Sequence, residues 1–316
     1  MTTTDTTKKA PVTLLPGGSH LRIALVTASL AVTTVAATTV SAMSMGPGAD
    51  YSAIFPPPWF GLIGAGLLGA AVLLGSVSPR RLAQTAAWLA SLVLLGASGG
   101  VVLDGFRAFF AVTGIPAGDF SEVDVAGAIA RASALGASFS AVLLARRIRM
   151  EARLGRSTVS DRSRRIVGLL GVLLCVPYPL LKLVWWLQGE DGAFAVGFPG
   201  MELVLFTVAA AVLIALTFKR TPGAAHVPLL IAGWGGGFTL LSMGALMVFG
   251  LLAQMTGLAA SPLAFGDPAR ITLVTAVYGT WLLLGVALAA ATVLYGEARP
   301  VRRPRDGHDE TSRGAQ

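Results

Sequence analysis

Eight continuously apolar stretches, each long enough to cross a bilayer, divide this chain of 316 residues. A transmembrane helix needs roughly 20 apolar residues to span about 30 Å of hydrocarbon. The stretches cover residues 21–45, 59–78, 83–103, 125–145, 166–187, 202–218, 227–252 and 271–294. Runs such as Val204–Leu216 are continuously apolar rather than alternating, which favours helices over membrane strands. The sequence therefore predicts an all-α polytopic membrane bundle of eight transmembrane helices.

The positions of the basic residues predict the orientation of these helices. Of the 24 lysines and arginines, 20 lie in alternate gaps that we assign to the cytoplasm. They are Lys8, Lys9, Arg22, Arg80, Arg81, Arg146, Arg147, Arg149, Arg153, Arg156, Arg162, Arg164, Arg165, Lys219, Arg220, Arg299, Arg302, Arg303, Arg305 and Arg313. The other gaps carry mostly acids, namely Asp50, Asp119, Glu122, Asp124, Glu190, Asp191 and Asp267. The positive-inside rule then places both the N and C termini in the cytoplasm.

The formal net charge of +8 does not indicate a nucleic-acid partner, because the basic residues flank helix ends. We expect them to contact anionic lipid headgroups at the cytoplasmic face of the bilayer. Arginine outnumbers lysine 20 to 4, and alanine, glycine and valine are abundant, as in proteins of GC-rich bacteria. The predicted location is therefore the bacterial plasma membrane.

The same pattern predicts the organisation of the chain. Residues 1–20 are polar and Thr-rich and residues 296–316 are highly charged, so both read as disordered cytoplasmic tails. Helices 1–4 occupy residues 21–147, a basic cytoplasmic loop occupies 148–164, and helices 5–8 occupy 165–295. The first apolar stretch is longer than a signal-peptide core of about 7 to 15 residues, so it is taken as helix 1.

Sliding the chain on itself by 143 residues aligns matching residues at helix ends. The matches are Arg22-Ile23 with Arg165-Ile166, Gly46 with Gly189, Phe55-Pro56 with Phe198-Pro199, Thr113-Gly114 with Thr256-Gly257, and Asp124 with Asp267. Helix ends constrain residue choice, with glycine used to leave a helix and aspartate to cap the next. The shift favours two tandem four-helix repeats of the same orientation.

Four basic residues remain that topology does not explain: Arg107, Arg131, Lys182 and Arg270. Arg131 and Lys182 lie inside predicted helices, where a charge costs on the order of 1 to 3 kcal/mol. Asp104 and Glu202 occur at similar depth, and Arg107 follows Asp104 by three residues.

These charges have two interpretations, which the sequence leaves open. Asp104, Arg107, Arg131, Lys182 and Glu202 form one polar cluster in the outer half of the bundle, as a ligand-binding site or an outward-opening vestibule. Alternatively, they form buried ion pairs that lock neighbouring helices together.

Helix 5 carries two prolines, Pro177 and Pro179, that remove backbone donors just before Lys182. They predict either a bend that gates a transport site or a simple kink beneath an interfacial anchor of tryptophans. This segment, with Pro177-Tyr178, Leu181-Lys182 and Trp186 through Gly189, resembles a recurring Pro-Tyr, Leu-Lys, Trp, Gly pattern in uncharacterised multi-pass membrane proteins of actinobacteria. The resemblance covers little more than a dozen residues and implies a bacterial membrane protein but no activity.

Catalytic and metal chemistry find no support in the sequence. His20, His226 and His308 all lie on the predicted cytoplasmic side, so no intramembrane Ser-His or His-carboxylate set can be assembled. Cys175 is the single cysteine, and no His/Cys cluster suits a metal. We therefore expect no enzyme, no metal and no cofactor. The sequence predicts a permease-like or channel-like carrier of a small polar or anionic solute, or alternatively a non-transporting scaffold or accessory subunit that binds a partner membrane protein.

Overall fold

The computed structural model describes residues 18–43, 55–77, 80–152, 161–188, 197–218, 226–258 and 268–297. Within these ranges the chain forms ten α-helices and one short 3-10 helix, and no β-strand. In chain order they are α1 (Gly18–Met43), α2 (Trp59–Val77), α3 (Arg80–Ala97), α4 (Val101–Thr113), the 3-10 helix η1 (Gly118–Ser121), α5 (Val125–Ala152), α6 (Asp161–Leu174), α7 (Pro177–Leu187), α8 (Gly200–Phe218), α9 (His226–Met255) and α10 (Pro268–Glu297). The predicted all-α class is confirmed.

Among the described residues, seven helical segments are long and apolar enough to cross a membrane, which indicates a multi-pass membrane protein. The α3–α4 pair counts as one such segment, Arg80–Thr113, and the α6–α7 pair as another, Asp161–Leu187. The apolar part of α2, Trp59–Gly75, is shorter than the others. The whole of α2 has 19 residues, which at a rise of 1.5 Å per residue gives a length of about 28 Å.

Two predicted helices are each interrupted in the structure. The third predicted helix, residues 83–103, breaks after Ala97 and resumes at Val101, and its helical continuation includes the Phe-rich segment 105–112. The fifth, residues 166–187, begins earlier, at Asp161, and breaks at Cys175-Val176.

The predicted segments that join and flank the bundle are described only in part. Helix α5 extends to Ala152 and α6 begins at Asp161, so helices take up both ends of the predicted basic loop 148–164. Residues 153–160 of that loop lie outside the described residues, as do residues 1–17 and 298–316 of the two predicted tails. Gly46, Asp50, Gly189, Glu190, Asp191, Lys219, Arg220 and Asp267 also lie outside them.

The chain divides into two compact units, Met1–Gly155 with Phe249–Ala264, and Arg156–Val248 with Phe265–Gln316. The core of the first unit is a seam of alanines between α3 and α5. It contains Ala83, Ala87, Ala90, Ala134, Ala137, Ala141 and Ala145, with Leu68, Leu94, Leu144 and Ile148 beside them. Small side chains at a spacing of three or four residues let the two helix backbones approach closely, which is how membrane helices gain packing energy. The Ser138 hydroxyl crosses this seam and donates to the main-chain oxygen of Ser91 at 2.8 Å.

The second unit differs, because glycines rather than alanines lie at the contact between α9 and α10. A Cβ added at Gly285 would lie 2.7 Å from the main-chain nitrogen of Leu241, so this contact requires glycine. An aromatic cluster of Tyr178, Phe206, Tyr278 and Trp281 lies where α7, α8 and α10 meet. Each unit therefore has its own buried core.

The break between α3 and α4 depends on Gly100, which has a φ of +94°. L-residues with a side chain rarely adopt this left-handed conformation. The Phe55 ring also packs directly on this glycine, since an added Cβ would lie 2.5 Å from its Cε1. Backbone conformation and close packing both select glycine here.

We expect Gly100→Ala to destabilise the protein by about 1–3 kcal/mol, because alanine is strained at this φ and collides with Phe55. The midpoint of thermal denaturation in detergent micelles would fall accordingly. Gly105→Ala is the matched control, since a Cβ at Gly105 meets nothing within 4 Å. Equal midpoints for the two variants would show that the turn at Gly100 does not constrain the fold.

Candidate functional site

Asp104 owes its position to the turn at Gly100. After the turn, α4 begins at Val101, and the main-chain N–H of Asp104 donates to the Gly100 oxygen at 3.0 Å. Asp104 thus lies in the first turn of a helix, where the helix dipole favours negative charge. Its side chain is buried. In the sequence, Asp104 directly follows the third apolar stretch, residues 83–103, whereas the structure places it in the first turn of α4.

Arg131, on α5, binds the Asp104 carboxylate through two parallel N–H···O hydrogen bonds from its planar guanidinium, an arrangement that we call the fork. Its Nε lies 2.6 Å from Oδ2 and its Nη2 lies 2.8 Å from Oδ1. The exposed fractions of the two side chains are only 7% and 5%. Paired charge-assisted hydrogen bonds of this kind are the strongest that side chains make. The ring of Phe55 covers the guanidinium at 4.7 Å, so an aromatic face takes the place of solvent on one side.

Asp124 caps α5 beside the same fork. Its Oδ1 accepts a hydrogen bond from the main-chain nitrogen of Gly127 at 2.9 Å, as expected of an N-cap aspartate. A Cβ added at Gly127 would overlap Asp124 Oδ2 and lie 3.0 Å from Arg131 Nη1. Gly127 therefore leaves room for a carboxylate and a guanidinium to lie side by side at the helix end.

A small cavity of about 40 Å³ adjoins Arg131. Its lining includes Phe55, Thr38, Ser41 and the segment Pro56–Pro58. Such a volume admits a few water molecules, whereas pockets for small-molecule ligands measure about 300–1,000 Å³. The cavity is too small for an organic solute.

Arg107 anchors the segment between α4 and α5 rather than extending the fork. Its Nη1 donates to the main-chain oxygen of Glu122 at 2.7 Å, and its guanidinium lies 5.0 Å from the centre of the Phe120 ring. Both residues belong to or adjoin the 3-10 helix η1. The buried cation thus ties the segment between α4 and α5 to the first turns of α4.

Lys182 and Glu202 form a second ion pair, in the second unit, and it is much looser. The Lys182 Nζ lies 4.0 Å from Glu202 Oε1, and the side chains are 20% and 30% exposed. The ammonium also lies 5.8 Å from the centre of the Tyr178 ring and 5.7 Å from that of Trp185. This pair joins α7 to α8 at the limit of ion-pair distance, without the fork that joins Asp104 to Arg131.

Pro177 and Pro179 begin α7, immediately after the break at Cys175-Val176. Pro177 occupies the first position of the helix, where a missing N–H leaves no partner unsatisfied. The role of the two prolines in gating stays a prediction, because a helix break fits a static kink as well. Arg270, the fourth unexplained cation, lies near the start of α10, and its side chain lies outside the described residues.

The five charged residues thus form an ion pair in each unit, with Arg107 on the loop of the first. That all five share one cluster stays a prediction. The sequence offered a signal for Phe55, which recurs as Phe198 at the 143-residue shift, but none for its contact with Arg131. The sequence signal for Trp281 is its position near the middle of the predicted span 271–294, where a tryptophan is not an interfacial anchor.

Among the described residues, no group of three or more histidine, cysteine or acidic side chains is arranged to hold a metal ion. Cys175 is buried, and its thiol lies 3.4 Å from the main-chain oxygen of Gly171. Its contacts are those of a small core residue.

We expect the two ion pairs to differ in their effect on stability. Asp104→Asn or Arg131→Met leaves a buried charge without its partner and should cost about 3–5 kcal/mol, whereas Arg131→Met with Asp104→Leu should recover most of the loss. Lys182→Met should cost about 1 kcal/mol or less, since that pair is partly exposed. Denaturation midpoints in one detergent would measure all four variants. A double variant as unstable as the worse single variant would contradict the buried-pair interpretation.

Comparison with protein-family models, with curated proteins and with solved structures found no match to this chain.

Proposed function

We propose that this chain is a bacterial plasma-membrane protein of eight spans, built from two four-helix repeats, with both termini in the cytoplasm. In this arrangement the shorter helix α2 also crosses the bilayer and, added to the seven long segments, makes eight spans. Its length of about 28 Å nearly matches the hydrocarbon thickness of about 30 Å.

The helix bounds support the repeat. A shift of 143 residues carries the first residue of α1, Gly18, onto Asp161 at the start of α6, and Val125 at the start of α5 onto Pro268 at the start of α10. It also carries Gly114, with a φ of +68°, onto Gly257, with a φ of +71°. The preceding threonines behave alike, since Thr113 and Thr256 each donate a hydroxyl to the main-chain oxygen four residues back at 2.8 Å.

Cysteine labelling tests the topology, because the only native cysteine, Cys175, is buried and can be replaced by serine. Single cysteines at Thr6, Ala117, Ser157 and Ser312 are then exposed to a membrane-impermeant maleimide in intact cells. We expect Ala117→Cys alone to react before permeabilisation. Labelling of the two termini from opposite sides would mean seven spans and contradict the eight-span arrangement.

For the activity, we propose a non-transporting scaffold or accessory subunit without catalytic function. The observation that carries this proposal is that buried Arg131 donates hydrogen bonds to both carboxylate oxygens of Asp104. A transport site must release its charges to a solute, whereas this fork is covered by Phe55 and adjoins a cavity of only about 40 Å³. Separating the two charges would expose them to hydrocarbon, a cost that no small solute offsets easily.

The second candidate is a carrier of a small polar or anionic solute. It is favoured by the looser pair of Lys182 and Glu202, which lies beyond the helix break at Cys175-Val176. In transporters, interrupted helices place charged groups and free carbonyls beside a substrate.

Proteoliposomes separate the two candidates. We expect the purified protein to move no solute of a panel of small anions and polar compounds faster than protein-free liposomes, as followed by stopped-flow light scattering and labelled-solute uptake. We also expect Arg131→Met with Asp104→Leu to keep wild-type abundance in the membrane. Saturable uptake that Lys182→Met abolishes at unchanged incorporation would instead establish the carrier.

A further inference from the structure

Lys182 and Glu202 carry opposite charges that no hydrogen bond among the described residues satisfies. Their closest atoms lie 4.0 Å apart, beyond the 2.7–3.2 Å of an N–H···O hydrogen bond. The described residues supply no other hydrogen-bond partner to either group, only the faces of Tyr178 and Trp185 around the ammonium. Charged groups at the edge of a membrane normally gain such bonds, so this pair has capacity to bind a third group.

Both residues lie near the ends of their helices. Lys182 is five residues before the end of α7 and Glu202 is two residues after the start of α8, which places their backbones within about 8 Å and 3 Å of those ends. The surrounding side chains are apolar and exposed, namely Trp186, Leu187 and Met201. Tryptophans beside a lysine that snorkels are typical of the depth of the lipid headgroups.

The chemistry of the pair selects a zwitterion. A ligand must offer an anion to the Lys182 ammonium and a hydrogen-bonding cation to the Glu202 carboxylate, with the two charges a few ångströms apart. An anionic headgroup would satisfy Lys182 but would be repelled by Glu202. A trimethylammonium group could approach Glu202 but has no N–H to donate to it.

We propose that Lys182 and Glu202 bind a phosphoethanolamine diester, as carried by a phospholipid at the membrane face where α7 ends and α8 begins. Lys182 donates to a phosphate oxygen, and the ethanolamine ammonium donates to Glu202, with the Trp185 ring beside the charged groups. The first ion pair cannot bind such a ligand, because Arg131 already occupies both oxygens of Asp104. The inference does not depend on the scaffold or carrier proposal.

Native mass spectrometry of the delipidated full-length protein tests the site. The protein is titrated separately with phosphatidylethanolamine, phosphatidylcholine and phosphatidylglycerol of matched acyl chains, and the affinity of the first bound lipid is measured. We expect phosphatidylethanolamine to bind best, and Lys182→Met and Glu202→Gln each to weaken its binding about tenfold, as loss of one charge-assisted hydrogen bond implies. The affinity for phosphatidylglycerol should fall for Lys182→Met and rise for Glu202→Gln.

Arg165→Gln is the matched control, since it removes an exposed cation from the opposite end of the same interrupted helix, and we expect it to leave phosphatidylethanolamine binding unchanged. Glu202→Gln changes no side-chain volume and remains informative where Lys182→Met fails to fold.

Water-soluble glycerophosphoethanolamine distinguishes the source of the ligand. Displacement of the lipid by it at equal concentration would support the same chemistry with a soluble ligand, and no displacement would support a lipid. Equal phosphatidylethanolamine affinities for wild type and both site variants, or tighter binding of phosphatidylglycerol by the wild type, would overturn the proposal.

Discussion

Hydrocarbon offers no hydrogen-bond partner to a peptide group, and this constraint governs where the chain can depart from a regular helix. The departure at Gly100 is satisfied locally. The main-chain N–H of Ser98 donates to the oxygen of Leu94 at 2.9 Å, and the Ser98 hydroxyl donates to the Leu95 oxygen at 2.8 Å. The break at Cys175-Val176 is closed in a similar way, by 3-10-type bonds from these two residues to the oxygens of Val172 and Leu173. At each break, hydrogen bonds to oxygens three or four residues back thus satisfy main-chain N–H groups that would otherwise face hydrocarbon.

The two breaks have different consequences for nearby charges. The turn at Gly100 starts a new helix inside the first unit and brings Asp104 into its first turn, where the carboxylate meets Arg131 and the Phe55 ring. The break before Pro177 starts a helix that carries Lys182 to a partly exposed position beside Glu202. A buried fork has little freedom to exchange partners, whereas a partly exposed pair at 4.0 Å leaves hydrogen-bonding capacity on both charged groups. We therefore propose a structural role for the first pair and a lipid-binding role for the second.

Under the proposed duplication, neither ion pair has a charged counterpart at the equivalent positions of the other half. At the 143-residue shift, Asp104 and Arg131 correspond to Met247 and Val274, while Lys182 and Glu202 correspond to Thr39 and Trp59. The proposed halves resemble each other at helix ends, as Gly114 and Gly257 illustrate. On this view the common four-helix framework supports packing, and the charges are additions particular to each half.

The sequence by itself determined the helical class and most helix positions, because a bilayer allows few alternatives to an apolar helix of about 20 residues. It also singled out Arg131 and Lys182, since charges at such depth need a partner. The break at Gly100 was not predicted, because the glycines Gly96, Gly99 and Gly100 in an apolar run also fit a continuous helix that packs closely against its neighbours. The tertiary structure alone decided that Arg131 binds Asp104 with both oxygens under Phe55, and that Lys182 stays 4.0 Å from Glu202 beside Tyr178. Those distances depend on how neighbouring helices pack and turn, and the packing of alanine and glycine seams is too similar from position to position for sequence to specify it.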